Sequence, residues 1–216
     1  MSAPPEPMTS LETIDEVLLS TSCTVDLICV ELAKMFGVRS TEVGILRLEG
    51  ELLTFLYPAE LQAVGCIPIS GTGVAARTAA TKKAELYNNF ATIPHRTVFE
   101  LVKLKDPEIK KDPELKGDAQ PKEDEHPRIQ KLMSAPVLGE ENAVLGVVQV
   151  SRKGVNPGAA GPDFTSEELQ YLERVARRVA TLRPEILLTV PKKPRWKLEL
   201  QNEQKKKTKG KAAGRS

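Results

Sequence analysis

The residues of this 216-residue chain with the most obvious chemistry lie between Tyr87 and Arg96, in the run YNNFATIPHR. Asn88 and Asn89 offer paired amide donors and acceptors, Phe90 a stacking surface and Arg96 a charge for an anionic group, with Tyr87 and His95 beside them. That set suits reversible binding of a small molecule. The competing use is structural, with the asparagines making a turn and Phe90 packing in a core.

Other motifs fit their chemistry less well. Gly71, Gly73 and Ala76 satisfy the G-x-G-x-x-G/A spacing of a dinucleotide-binding turn. The element before them reads as a hairpin instead of the first strand of a βαβ unit, and no strand-end acid follows at ~20 residues. A helix-starting turn is the better reading. His95 and His126 are the only histidines, and no CxxC, HxxxH or HExxH spacing occurs, so no metal site is expected. Cys23 and Cys29 are six residues apart, which on one helix sets them roughly 240° apart, too far to chelate together. Cys66 stands alone and reads as a small hydrophobe. The basic stretch KKPRWKLELQNEQKKKTKGKAAGRS carries Lys192, Lys193, Arg195, Trp196, Lys197, Lys205, Lys206 and Lys207. Such charge attracts phosphate-bearing polymers or an anionic membrane surface, or simply serves as a solvated tail.

Hydrophobic residues make up 40% of the chain, enough for a sizeable core, whereas the 28% charged residues are concentrated near 103–128 and 192–216. No run approaches the ~20 apolar residues of a membrane span, and MSAPPEPM lacks the features of a signal peptide. The odd number of cysteines, all within apolar stretches, points to reduced thiols and a cytoplasmic setting.

The elements that must position these residues follow from periodicity. Leu11, Ile14, Leu18, Val25, Ile28, Leu32 and Met35 form a helical stripe, opened by a Thr9/Glu12 capping box and ended by Gly37. The poor helix formers Thr21 to Thr24 imply a kink or a division into two helices. Strands are expected at 43–48 and 52–57 across a Gly50 hairpin, then at 66–69; a GxG-led helix follows from Val74 to about Lys82, and a short strand at 85–87. The charged, Pro-punctuated block 103–128 reads as a mobile insertion. A second hairpin pairs 133–138 with 143–151, and a loop assigned as flexible runs from Gly154 to Gly161. Thr165 and Glu168 then cap a helix that Pro184 stops.

In this order the segments LAKMFGVRSTEVGILRLEGELLTFLYP, GTGVAARTAATKKAELYNNF, LMSAPVLGEENAVLGVVQVSRK and FTSEELQYLERVARRVA resemble a GAF domain over roughly residues 10–183. The resemblance implies an α/β (α+β) fold with a central antiparallel sheet. Terminal helices would pack on one face, and a pocket on the other would be closed by the segment after the GxG helix. It places 87–96 across that pocket. Members bind cyclic nucleotides, tetrapyrroles, amino acids or other small molecules, and many pair through their terminal helices. The expected layout is a flexible N-terminus at 1–9, the domain at 10–190 and a disordered basic tail at 191–216. The expected function is non-catalytic: a sensor domain, as a homodimer, binding a small molecule or a signalling partner. No cofactor is named. Neither the phytochrome attachment context nor the cysteine loop of GAF methionine-sulfoxide reductases is recognisable, and the residue set of phosphodiesterase GAF domains is missing. The alternative is a dimerisation or nucleic-acid adaptor with an unused pocket and a polyanion-binding tail; an enzyme ranks third.

Overall fold

A computed structural model describes residues 11–93, 102, 104 and 127–188. The N-terminal stripe is divided between α1 (Leu11–Leu19) and α2 (Val25–Phe36). The break falls at the poor helix formers, and Thr24 restarts the helix by accepting a hydrogen bond from the Leu27 N–H at 3.3 Å. Gly37, at φ 58°, ends α2 in the left-handed conformation that a side chain disfavours.

Six strands form one antiparallel sheet in the order β3-β2-β1-β6-β5-β4. They are β1 (Val43–Glu49), β2 (Leu52–Tyr57), β3 (Cys66–Pro68), β4 (Glu85–Tyr87), β5 (Arg128–Leu138) and β6 (Val144–Gly154). Central β1 and β6 are rich in Val, Ile and Leu because both of their faces are covered. Alternation sends Ile45, Met133, Val148 and Val150 to one face, where α1, α2 and α4 (Ser166–Leu182) pack. It sends Leu46, Leu53, Phe55 and Val147 to the other, against Ala75 and Ala79 of α3 (Val74–Thr81). This is the α/β arrangement expected, with the terminal helices on one face of a central antiparallel sheet.

The capping box of α4 is formed as read: Glu168 N–H donates to Thr165 Oγ1 at 3.1 Å, and Thr165 N–H donates to Glu168 Oε2 at 2.7 Å. The helix stops at Leu182, and Pro184 opens the one-turn α5 (Pro184–Leu188), where the sequence suggested only an apolar run. Ile14, Leu18, Ile28, Leu32, Leu172, Val175 and Val179 are all 0% exposed within the single chain. The stripes that suggested a dimer therefore serve the domain's own core.

One expectation is corrected. Strand β5 begins at Arg128, not Met133, and runs opposite a β6 that continues to Gly154. Its polar opening residues are buried by specific partners: Gln130 donates to the Gly154 carbonyl at 3.0 Å, and Lys131 pairs with Asp163 at 2.8 Å. The loop after Gly154 is exposed over 155–159 and anchored at its far end. Ala160 is buried, Asn156 Oδ1 accepts from the Ala159 N–H at 2.9 Å, and a Cβ on Gly154 would lie 2.7 Å from the Ala160 nitrogen. Of the 103–128 insertion, Leu104 packs on the α3-side cluster and Arg128 belongs to β5. Apart from exposed Pro127, the rest of that insertion, residues 1–9 and the tail 191–216 lie outside the described residues.

Candidate functional site

The α3 face of the sheet holds a cavity of about 540 Å³. Its walls are largely apolar: Phe55 from β2, Leu61 from the turn after it, Val74 from α3, Leu132 from β5, and Phe90 and Leu104 from the segments beyond β4. Its floor is the α3-facing side of β6, where Gln149, Ser151 and Lys153 follow one another at a spacing of two, beside Gly44 of β1. Volume and lining both fall in the range of small-molecule sites.

Gly71 and Gly73 help to form the rim. A Cβ on Gly71 would stand 3.0 Å from the Pro68 carbonyl oxygen, so a side chain there would push the turn before α3 a few tenths of an ångström away from β3. Gly73 caps α3 with no side-chain hydrogen bond. The glycines thus start a helix, as the failed dinucleotide context implied.

At one end of the cavity sits Glu42, in a 3-10 turn at Ser40–Glu42. Its carboxylate accepts from the Arg39 N–H at 2.8 Å, the Arg39 guanidinium at 3.1 Å and the Lys153 N–H at 2.7 Å. Burial pushes this carboxyl up, but the bonds from Arg39 and the Lys153 backbone outweigh that and hold it below the ordinary carboxylate range. Ser151 donates to the Glu42 carbonyl at 2.9 Å, and Lys153 Nζ donates to the Thr41 carbonyl at 3.2 Å. Near the middle, Gln149 Nε2 donates to Ser134 Oγ at 3.2 Å, and Thr78 of α3 donates to the same oxygen at 2.8 Å. Ser134 and Thr78 are wholly buried.

The run 87–96 divides. Phe90 reaches the cavity wall and is 4% exposed, packed with Val74 and Leu132. Tyr87 is not among the lining residues; its hydroxyl donates to Glu85 at 2.9 Å and accepts from Arg77, whose guanidinium lies 5.5 Å from the ring centroid. That cluster fastens α3 to β4. The Asn88 amide is engaged at both ends by Phe164, donating to its carbonyl and accepting from its N–H, each at 2.9 Å. Asn89 is exposed, and its carbonyl accepts from Thr92 Oγ1 at 2.9 Å. His95, Arg96 and His126, like the tail candidates from Lys192 to Lys207, lie outside the described residues.

Glu42, Gln149, Ser151 and Lys153 were not singled out from sequence. The signal was the polar alternation inside a strand otherwise dense in Val and Leu. No group of three His, Cys, Asp or Glu that could hold a metal ion occurs among the described residues. Nor is any described helix long and apolar enough to cross a membrane. Cys29 is wholly buried and its thiol is pushed well up, first by burial and then by Asp26. Cys23 is half-buried and raised by burial, and neither it nor Cys66 lines the cavity.

The GAF domain family profile matches residues 21–182. No curated protein matches the sequence. Among solved structures, a GAF domain from an Acinetobacter phosphoenolpyruvate-protein phosphotransferase superposes with a TM-score of 0.52 at 11% identity, covering 83% of this chain and 95% of that one. The corresponding domain from Coxiella burnetii gives 0.51 at 9% identity, over 81% and 94%. The free methionine-R-sulfoxide reductase of Neisseria meningitidis, solved with its substrate, gives 0.52 at 15% identity, over 83% and 89%. At such identities the likeness concerns the fold alone.

Proposed function

Because the chain belongs to the GAF domain family, we propose that it is a non-catalytic regulatory module whose partner contacts depend on a small molecule held in the α3-face cavity. The observation that carries this reading is the cavity itself: about 540 Å³, largely apolar, on the face the terminal helices leave uncovered. The non-catalytic part is supported by the cysteines. The most buried of them, Cys29, is held as a neutral thiol, and neither of the others lines the cavity. A reducing, cytoplasmic setting agrees with these free thiols. Homodimerisation stays part of the proposal, now resting on exposed Leu19 and Leu27, and sedimentation as a monomer alone would remove it.

The test is native mass spectrometry of the purified protein beside Gly44→Leu. A Cβ at Gly44 meets nothing nearer than 3.7 Å, an ordinary contact distance, so a side chain can start from this position on the cavity floor. A molecule retained by the unaltered protein and lost from Gly44→Leu, with unfolding unchanged, supports the reading. Retention by both proteins places the molecule elsewhere and refutes it.

A further inference from the structure

We propose that Gln149 is the specificity-determining residue of this cavity, and that the ligand is an apolar, aromatic-sized molecule donating one N–H or O–H to Gln149 Oε1. The inference rests on the cavity being a ligand site and goes on to name what that site selects.

Gln149 stands directly opposite Ser134 in the β5–β6 register. Ser134 Oγ accepts from both Gln149 Nε2, at 3.2 Å, and Thr78 Oγ1, at 2.8 Å, so both of its lone pairs are used. Because Ser134 and Thr78 are 0% exposed, water does not compete for them. The amide of Gln149 is therefore braced from α3 and β5 together. The braced amide keeps its second Nε2 hydrogen and its carbonyl oxygen to offer, and among the described residues Oε1 accepts no hydrogen bond.

The other polar side chains of the β6 row, and Glu42 beside them, have protein partners. The Ser151 proton goes to the Glu42 carbonyl, Lys153 Nζ donates to the Thr41 carbonyl, and the Glu42 carboxylate receives three N–H groups. Around Gln149 the lining is apolar: Phe55 on β2, Leu132 on β5 and Val74 at the start of α3. Gly44, its partner across β1–β6, contributes no side chain to the floor beside it. A fixed acceptor in apolar surroundings discriminates by penalty. A ligand without a donor displaces water from Oε1 and leaves it unmatched, whereas one with a donor restores the bond. A site built this way rejects the donor-less isostere more strongly than it rejects a change of apolar shape.

The experiment uses 6-fluoroindole and 6-fluorobenzothiophene, of like shape, in which sulfur replaces the N–H. Binding of each is followed by ¹⁹F NMR on the unaltered protein, on Gly44→Leu and on Gln149→Met, which keeps side-chain length and removes the acceptor. Roughly tenfold or greater preference for the indole is expected in the unaltered protein. In Gln149→Met that ratio falls to about one, while benzothiophene affinity is kept or improved. Thermal unfolding of each variant separates loss of the site from loss of the fold. Equal binding of the two probes, abolished by Gly44→Leu, overturns the assignment to Gln149 and leaves the ligand site standing. A preference that survives in Gln149→Met also overturns it. Binding of neither probe overturns the inference and leaves the ligand site to the native mass spectrum, whereas binding indifferent to Gly44→Leu overturns the inference together with the reading beneath it.

Discussion

Replacing Asn88 separates a residue that holds the fold from one that holds a ligand. In Asn88→Ala the Phe164 N–H and carbonyl lose their partners at once, since both 2.9 Å bonds come from the same amide. These bonds tie the residue after β4 to the strap leading into α4, 76 positions later in the chain. Phe164 is 3% exposed, so water reaches its backbone poorly. With each bond contributing ~0.5–1.5 kcal/mol net, the loss is about 1–3 kcal/mol. For a domain of this size that lowers Tm by roughly 2–4 °C per kcal/mol, or about 2–12 °C in all. Asn88→Asp is more instructive. It keeps an acceptor for the Phe164 N–H but turns a carboxylate oxygen toward the Phe164 carbonyl, so it should fall at least as far as Ala above the ordinary carboxylate pKa and recover below it. The assay is urea unfolding of the three proteins at neutral and acid pH, with 6-fluoroindole affinity measured on whatever remains folded. Unchanged stability in Asn88→Ala refutes the clasp. Unchanged stability with binding abolished returns Asn88 to the ligand set.

Three other outcomes follow from geometry and charge. Glu42 is bonded in its ionised form and its folded-state pKa is depressed, so its stabilisation is complete above the unfolded value near 4.5 and is lost as pH falls through the lower folded value. Glu42→Gln should therefore flatten the acid limb of a Tm-versus-pH curve below about 4.5, and an unaltered limb contradicts this. Gly146→Ala places a Cβ 2.1 Å from the Leu46 carbonyl oxygen, a backbone atom that cannot step aside, so β1 and β6 must part locally. The loss should reach the upper end of overpacking, ~3 kcal/mol, in denaturant unfolding, and a fall below 1 kcal/mol would mean the strands can separate freely. The tail carries ten Lys and Arg between Lys192 and Arg215 against Glu199 and Glu203, and should bind polyanions weakly with affinity falling steeply in salt. Anisotropy with a labelled oligonucleotide tests this, and equal affinity for a chain ending at Val190 disproves it.

The sequence made visible whatever depends on near neighbours. Thr165 and Glu168 cap α4 from within one turn, Gly37 ends α2, and the apolar stripes give the helix faces by spacing alone. It hid what depends on distant partners. Gln130 and Lys131 look like solvated residues and so delayed the start of β5, yet their side chains are held by the Gly154 and Gly161 carbonyls across 24 and 30 positions. Asn88 and Gln149 make the same point at the site. Both carry a side-chain amide with identical chemistry, and the sequence favoured Asn88 because it stood among other polar residues. Among the described residues, folding engages both ends of Asn88 and only the amide nitrogen of Gln149. A residue type states what a side chain can donate or accept. Which of those capacities is left over for a ligand is decided by contacts 15 to 76 positions away, and only the uncommitted remainder can select a molecule.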